Sequence, residues 1–125
     1  MKIITALVIE DHPDNMTLIC DILELHGYAV LQAITGMQGY QMALKEQPDF
    51  IILDICLPDI SGYQVLEKIR NHELIRNTPV VAMTSHAMVG EKSQLLNAGC
   101  NGYVEKPIDP SKVMQQIRHA IAEKS

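Results

Sequence analysis

The sequence predicts a five-stranded parallel sheet with helices wound on both faces, an α/β fold in which residues 1–125 form one domain. Three observations predict it. Short apolar runs alternate five times with segments of helical period. Two of those runs, Ile51-Ile52-Leu53 and Val80-Val81-Ala82-Met83, are apolar without alternation, which marks strands buried on both faces. Glycine stands where helices should stop, at His26-Gly27 and Ala98-Gly99.

Taken in order, a strand is expected over residues 3–9 and a helix over 13–26, with Asp14 available to cap its start. In that helix Met16, Ile19 and Leu23 widen the apolar face, either for core packing or as a docking patch for a partner. A second strand at 28–33 leads to a helix at 36–46, and a third strand at 50–53 stops immediately before Asp54. The next helix is expected at 62–71, and the fourth strand, 80–83, runs into Thr84. A helix at 87–98 and a short strand at 102–104 follow. Asp109-Pro110-Ser111 opens the last helix, 111–123, which spaces Val113, Ile117, Ala120 and Ile121 along one face. Nothing in the chain resembles a linker, a repeat or a low-complexity tail.

Composition narrows the function classes. Apolar residues make up 47% of the chain, enough to bury a core, yet no run approaches the length needed to span a bilayer. Strand sequence starts at once after Met1-Lys2, without a signal-peptide pattern, so a cytoplasmic protein is expected. Cys20, Cys56 and Cys100 are odd in number and lack a C-x-x-C spacing, so neither a disulfide framework nor a zinc site is indicated, and Cys20 and Cys100 are expected to be buried thiols. A net charge of −5 argues against nucleic acid as a partner. Part of that charge is expected in one acidic pocket, where a cation would offset it.

The chemistry lies at the strand ends. Glu10-Asp11 follows the first strand, Asp54 the third, Thr84 the fourth and Lys106-Pro107 the fifth. A parallel sheet opens all these ends on one edge. Singly, each has an ordinary explanation: a helix-start cap for Glu10-Asp11, a turn cap for Asp54, a strand-ending hydroxyl for Thr84, a solvated ammonium for Lys106. Together they suit a hard divalent cation and a phosphoryl group, since Mg²⁺ takes oxygen ligands from carboxylates and phosphate, and clustered carboxylates without a cation repel one another.

These residues carry a resemblance. The stretches Ala6-Leu7-Val8-Ile9-Glu10-Asp11, Ile52-Leu53-Asp54-Ile55-Cys56-Leu57-Pro58-Asp59-Ile60-Ser61-Gly62, Pro79-Val80-Val81-Ala82-Met83-Thr84-Ser85 and Ala98-Gly99-Cys100-Asn101-Gly102-Tyr103-Val104-Glu105-Lys106-Pro107 occur in order over essentially the whole chain. In this the chain resembles the receiver domains of two-component response regulators, in particular stand-alone, chemotaxis-regulator-like ones. The resemblance implies a flavodoxin-like (βα)5 fold and a phosphoacceptor with only self-phosphorylation and autodephosphorylation chemistry. Asp54 would take a phosphoryl group from a phosphohistidine of a sensor histidine kinase or histidine phosphotransfer protein. Asp11, Asp54 and the backbone carbonyl of Cys56 would hold Mg²⁺ (or Mn²⁺), with Glu10 acting through water. Lys106 would hold a phosphoryl oxygen, or pair with Asp54 when none is bound, and Thr84 would swing in to bind another. A cis Lys106–Pro107 bond is implied too.

Tyr103 resembles the family's aromatic switch, with a plain half-buried Tyr as the alternative. The output face would comprise the fourth helix, fifth strand and fifth helix, including Ala87, Met88, Glu91 and Tyr103, and that face also suits homodimerisation. Cys56 and His86 occupy the family's variable positions beside the phosphate. Neither offers a carboxylate or amide to aim a hydrolytic water, so an aspartyl phosphate lasting minutes or longer is expected. His12, His26, His72 and His119 are too scattered for a metal site.

Three other functions compete. A metal-dependent phosphatase with Asp54 as nucleophile wants a second acid two residues on, where this chain has Cys56. A flavin or nucleotide binder wants a glycine-rich loop after the first strand, and none is present. A phosphate-independent scaffold has no need to retain the acids, Thr84 and Lys106.

Overall fold

In the computed structural model, residues 2–85 and 89–122 are described. Strands and helices alternate through them: β1 (Thr5–Ile9), α1 (Pro13–Leu25), β2 (Ala29–Ala33), α2 (Gly36–Glu46), β3 (Phe50–Asp54), α3 (Gly62–Arg70), β4 (Val80–Thr84), α4 (Val89–Asn97), β5 (Gly102–Glu105) and α5 (Val113–Ala122). All strand pairs are parallel, in the order β2-β1-β3-β4-β5. The expected doubly wound sheet is therefore present. No helix among the described residues is long and apolar enough to cross a membrane.

The lack of alternation in β3 and β4 has its reason in the two cores. Successive side chains of a strand point to opposite faces. Ala6, Val8, Phe50, Ile52, Val81, Met83 and Val104 face α1 and α5 and pack with Ile19, Leu23, Val113 and Ile117. Leu7, Ile9, Ile51, Leu53, Val80 and Ala82 face the other way and pack with Ala43, Val65, Leu66, Ile69 and Leu95. With both faces covered, every position has to be apolar until the strand leaves the sheet.

This packing decides between the two readings of the first helix. Met16, Ile19 and Leu23 are all buried, with Ile19 and Leu23 fully enclosed. They belong to the core and offer no docking patch, because α1 lies with that face flat on the sheet. Cys20 and Cys100 are buried free thiols, as expected.

The element ends shift by a few residues. β1 begins at Thr5 rather than at residue 3, leaving Ile3 and Ile4 exposed, because register with β2 starts at Thr5–Ala29. Tyr28 precedes β2 and turns its ring edge-on to Phe50, 5.5 Å between centroids. The last helix starts at Val113 because Asp109 Oδ1 accepts from both the backbone N–H and the hydroxyl of Ser111, holding 109–112 in a turn. Ala87 and Glu123, the expected start of α4 and end of α5, lie outside the described residues. Gly27 and Gly99, at φ +90° and +110°, end α1 and α4 in a conformation that side chains disfavour.

One tertiary tie has no counterpart in the sequence reading. At the amino ends of the strands Arg70, the last residue of α3, donates to the carbonyls of Gly99, Arg76 and Thr78 and to Asn101 Oδ1, over 2.7–3.0 Å. Asn101 Oδ1 also accepts from the Val80 N–H. A single guanidinium thus binds the segments entering β4 and β5 to α3.

Candidate functional site

The register brings the strand-end residues together at the other edge. β1 and β3 are neighbours with Ile9 opposite Leu53, so Glu10 and Asp54 leave the sheet side by side. In β4 and β5 Thr84 stands opposite Glu105, and the Lys106 N–H donates to the Thr84 carbonyl over 2.8 Å. The Lys106–Pro107 bond is cis, as expected.

The cluster is tight and largely buried. Glu10 is fully enclosed, and Asp54 and Thr84 nearly so. Lys106 Nζ lies 3.0 Å from Glu10 Oε1 and 3.2 Å from Asp54 Oδ1. Glu10 Oε2 accepts the backbone N–H of His12 at 3.0 Å, whereas Oε1 has the lysine charge beside it but, among the described residues, no hydrogen bond of good geometry. Asp54 Oδ1 accepts the Cys56 N–H at 3.2 Å. Asp11 is exposed, and one oxygen each of Glu10, Asp11 and Asp54 lie within 4.8 Å of one another.

The electrostatics follow from this crowding. Burial pushes the Asp54 carboxyl up, contact with Glu10 pushes it further, and the Cys56 N–H and Lys106 only partly reverse this, leaving it at about 6. Burial opposes the charge on Lys106, but the two carboxylates outweigh burial and hold its pKa above the ordinary lysine value. A converging set of three acids, one with an under-bonded oxygen, fits a hard divalent cation: oxygen donors, excess negative charge and a lysine to stand opposite.

The loop after Asp54 is held close. A Cβ on Gly62 would sit 2.6 Å from Ile55 Cα and 2.7 Å from the Asp54 carbonyl oxygen, so only glycine lets the start of α3 approach so near. Ser61 and Gln64 form a reciprocal capping box there. Cys56, two residues past Asp54, has an exposed side chain.

Further from the acids, the Thr84 hydroxyl donates to Glu91 Oε1 on α4. Tyr103 is half-buried, with Lys92 Nζ 5.7 Å from the centre of its ring. Beside it lies a groove of about 430 Å³, lined among others by Lys92, Leu96, Tyr103, Glu105, Gln116 and His119. His86, Ala87 and Met88 lie outside the described residues. His26 and His72 hydrogen-bond locally, to the Ile22 carbonyl and the Leu74 N–H, and do not converge.

Two contacts were not anticipated. Lys106 reaches Glu10 as well as Asp54, and Glu91 engages Thr84. Glu91 lies seven residues past Thr84 across a connection whose course the sequence does not state.

Comparison with known proteins agrees with this geometry. The family model of the response regulator receiver domain matches residues 6–118. The polar-differentiation response regulator DivK of Brucella ovis is 32% identical over 114 residues, 91% of this chain and 93% of that protein. Among solved structures, the receiver domain of the sensor histidine kinase PA1611 from Pseudomonas aeruginosa, with a magnesium ion coordinated in its active-site cleft, is 31% identical at a TM-score of 0.87, covering 97% of this chain and 99% of that one. A CheY-like receiver domain protein from Methanospirillum hungatei is 28% identical at the same TM-score, covering 98% and 97%.

Proposed function

The chain belongs to the response regulator receiver domains, phosphoacceptor modules of two-component signalling, and on that premise we propose that Asp54 is the residue phosphorylated. The observation that carries the proposal is the position of its carboxylate, 3.2 Å from Lys106 Nζ and within 4.8 Å of donor oxygens of Glu10 and Asp11.

In the proposed reaction a free Asp54 oxygen attacks the phosphorus of a phosphohistidine on a sensor histidine kinase or phosphotransfer protein. The P–N bond breaks as the O–P bond forms, and the donor imidazole leaves with the electron pair. Glu10, Asp11, Asp54 and the Cys56 carbonyl would hold Mg²⁺, with Glu10 acting through a water that its under-bonded Oε1 suits. That ion supplies charge neutralisation for the transferring group. Lys106, already placed between the two carboxylates, transfers its ammonium contact to a phosphoryl oxygen. Alignment and charge are most of what phosphoryl transfer asks of a protein.

Thr84 then turns its hydroxyl from Glu91 to the phosphoryl group, and the groove beside Tyr103 between α4, β5 and α5 receives the downstream protein. Phosphorylation acts by biasing two existing conformations. Cys56 offers no group to orient a hydrolytic water, so the aspartyl phosphate persists for minutes or longer.

The test is intact mass after incubation with acetyl phosphate and Mg²⁺. A single phosphoryl adduct is expected, lost in Asp54→Asn and lost with a chelator. If a folded wild-type protein gives no adduct and turns over no donor, a phosphate-independent scaffold becomes the better reading. A half-life of seconds for the adduct would contradict the slow hydrolysis alone.

A further inference from the structure

Register sets Ala82 opposite Tyr103 and Thr84 opposite Glu105. Alternate side chains of a strand point the same way, so Thr84 follows Ala82 onto one face of the sheet. Leu95 of α4 is buried in the same cluster as Ala82, and Tyr103 packs against that cluster. One turn earlier in α4, Lys92 Nζ lies 5.7 Å from the centre of the Tyr103 ring. Beside it, Glu91 Oε1 accepts the Thr84 hydroxyl. The contacts of Leu95 and Lys92 thus agree with that bond in laying the first turn of α4 over the ends of β4 and β5.

The Thr84 hydroxyl carries one proton, so it can donate to one acceptor at a time. A carboxylate is a stronger acceptor than a neutral oxygen, and a phosphoryl oxygen is an acceptor of the same charged kind. Thr84 therefore chooses between two anions. Whatever its bond to Glu91 contributes at rest is subtracted from what Thr84 can add when a phosphoryl group arrives. Where the binding-competent arrangement is only a fraction of the population, apparent affinity falls by that fraction.

We propose that Glu91 is a positioning residue that restrains the switch: by holding the Thr84 hydroxyl it keeps the unphosphorylated protein in the resting arrangement, so removing its carboxylate activates the receiver instead of impairing it. Glu91 acts through Thr84 and needs no contact with metal or phosphoryl group. The inference rests on the reading of Asp54 and Thr84 given above.

A double-mutant cycle with beryllofluoride, a mimic of the aspartyl phosphate, tests it. Apparent affinity at fixed Mg²⁺ is measured for wild type, Glu91→Ala, Thr84→Ala and the double variant, with Asp54→Asn as the control for the site. Glu91→Ala should bind about 3- to 10-fold more tightly than wild type. In the Thr84→Ala background the same change should have no effect, because no hydroxyl is left to release. Glu91→Gln keeps a carbonyl acceptor without the charge, so its bond to Thr84 is weaker but present. Its gain should fall between wild type and Glu91→Ala. Gln94→Ala, at an exposed position of the same helix, should bind as wild type does.

Unchanged or weaker binding by both Glu91 variants overturns the inference, since that is what a merely structural role predicts. An equal gain in the Thr84→Ala background also overturns it, because the Glu91 charge would then be repelling the bound anion directly. So does a gain in Glu91→Gln as large as in Glu91→Ala, or an equal gain in Gln94→Ala. If wild type binds no beryllofluoride in an Asp54-dependent way, the reading of the site falls and the inference with it. Binding by wild type with a flat cycle removes the inference alone.

Discussion

At the amino ends of the strands a long cation, Arg70, meets only neutral acceptors among the described residues, three backbone carbonyls and an amide oxygen, all at good hydrogen-bond distance. At the carboxyl ends another, Lys106, lies between two carboxylates that crowd each other, one of them with an oxygen left under-bonded. Burial is comparable, but satisfaction is not. One end spends its polar groups on joining elements, and the other keeps charge in excess, which a metal and a phosphoryl group can use. The difference separates a residue that holds the fold from residues held by it.

The strongest way to break this contrast is Arg70→Ala. Three carbonyls and Asn101 lose donors in a partly buried setting, so unfolding free energy should fall by on the order of 2–4 kcal/mol. Urea denaturation measures it, and phosphoryl uptake by the fraction that remains folded should be unchanged. Arg70→Lys should recover little, since one ammonium cannot span four acceptors. A variant as stable as wild type would show the fan of bonds to be incidental.

Next in size is Asp54→Asn in metal-free buffer, with the opposite sign. The folded carboxyl titrates at about 6, above its ordinary value, so the folded state prefers it protonated. Stability from this group is therefore intact at low pH and declines as pH rises toward and through about 6. Removing the charge should stabilise the protein near neutral pH by on the order of 1–3 kcal/mol, and the gain should shrink as pH falls below about 6 and largely vanish near pH 4. Mg²⁺ should narrow the gap by stabilising the wild type selectively. Equal stability of the two proteins near neutral pH without metal would mean the acids are not strained.

How much of this was legible follows from which residues act locally. The five parallel strands and the edge holding Glu10, Asp54, Thr84 and Lys106 came from apolar runs and the rule that parallel strands end together, whereas the order of the strands came from their pairing. The second partner of Lys106 did not, because the pairing expected was with Asp54, and only the register of β1 beside β3 brings Glu10 within reach as well. Arg70 was silent because its acceptors are mostly backbone carbonyls, which every residue has. Met16, Ile19 and Leu23 were ambiguous because helical period marks an apolar face without saying whether the sheet or a partner covers it. Glu91 was assigned to an outer face, and its link to Thr84 depends on how α4 is placed against β4.

Asp59 sharpens the contrast within the functional edge itself, with the smallest expected effect. It lies five residues past Asp54 yet behaves oppositely. Its two oxygens accept the backbone N–H groups of Gly36 and Met37 at 2.8 and 2.9 Å, capping α2 from the β3–α3 loop, and these bonds hold its pKa down to about 2. Because the folded value lies below the ordinary one, its contribution is present at neutral pH and lost as pH falls through about 2. Asp59→Ala should therefore lower the melting temperature by a few degrees near neutral pH, with the difference from wild type closing below about pH 4. Two carboxylates five residues apart would then titrate on opposite sides of the usual range, Asp59 because two N–H donors face it and Asp54 because burial, and then the neighbouring Glu10, disfavour its charge. A pH-independent difference would mean that Asp59 acts by packing rather than by charge.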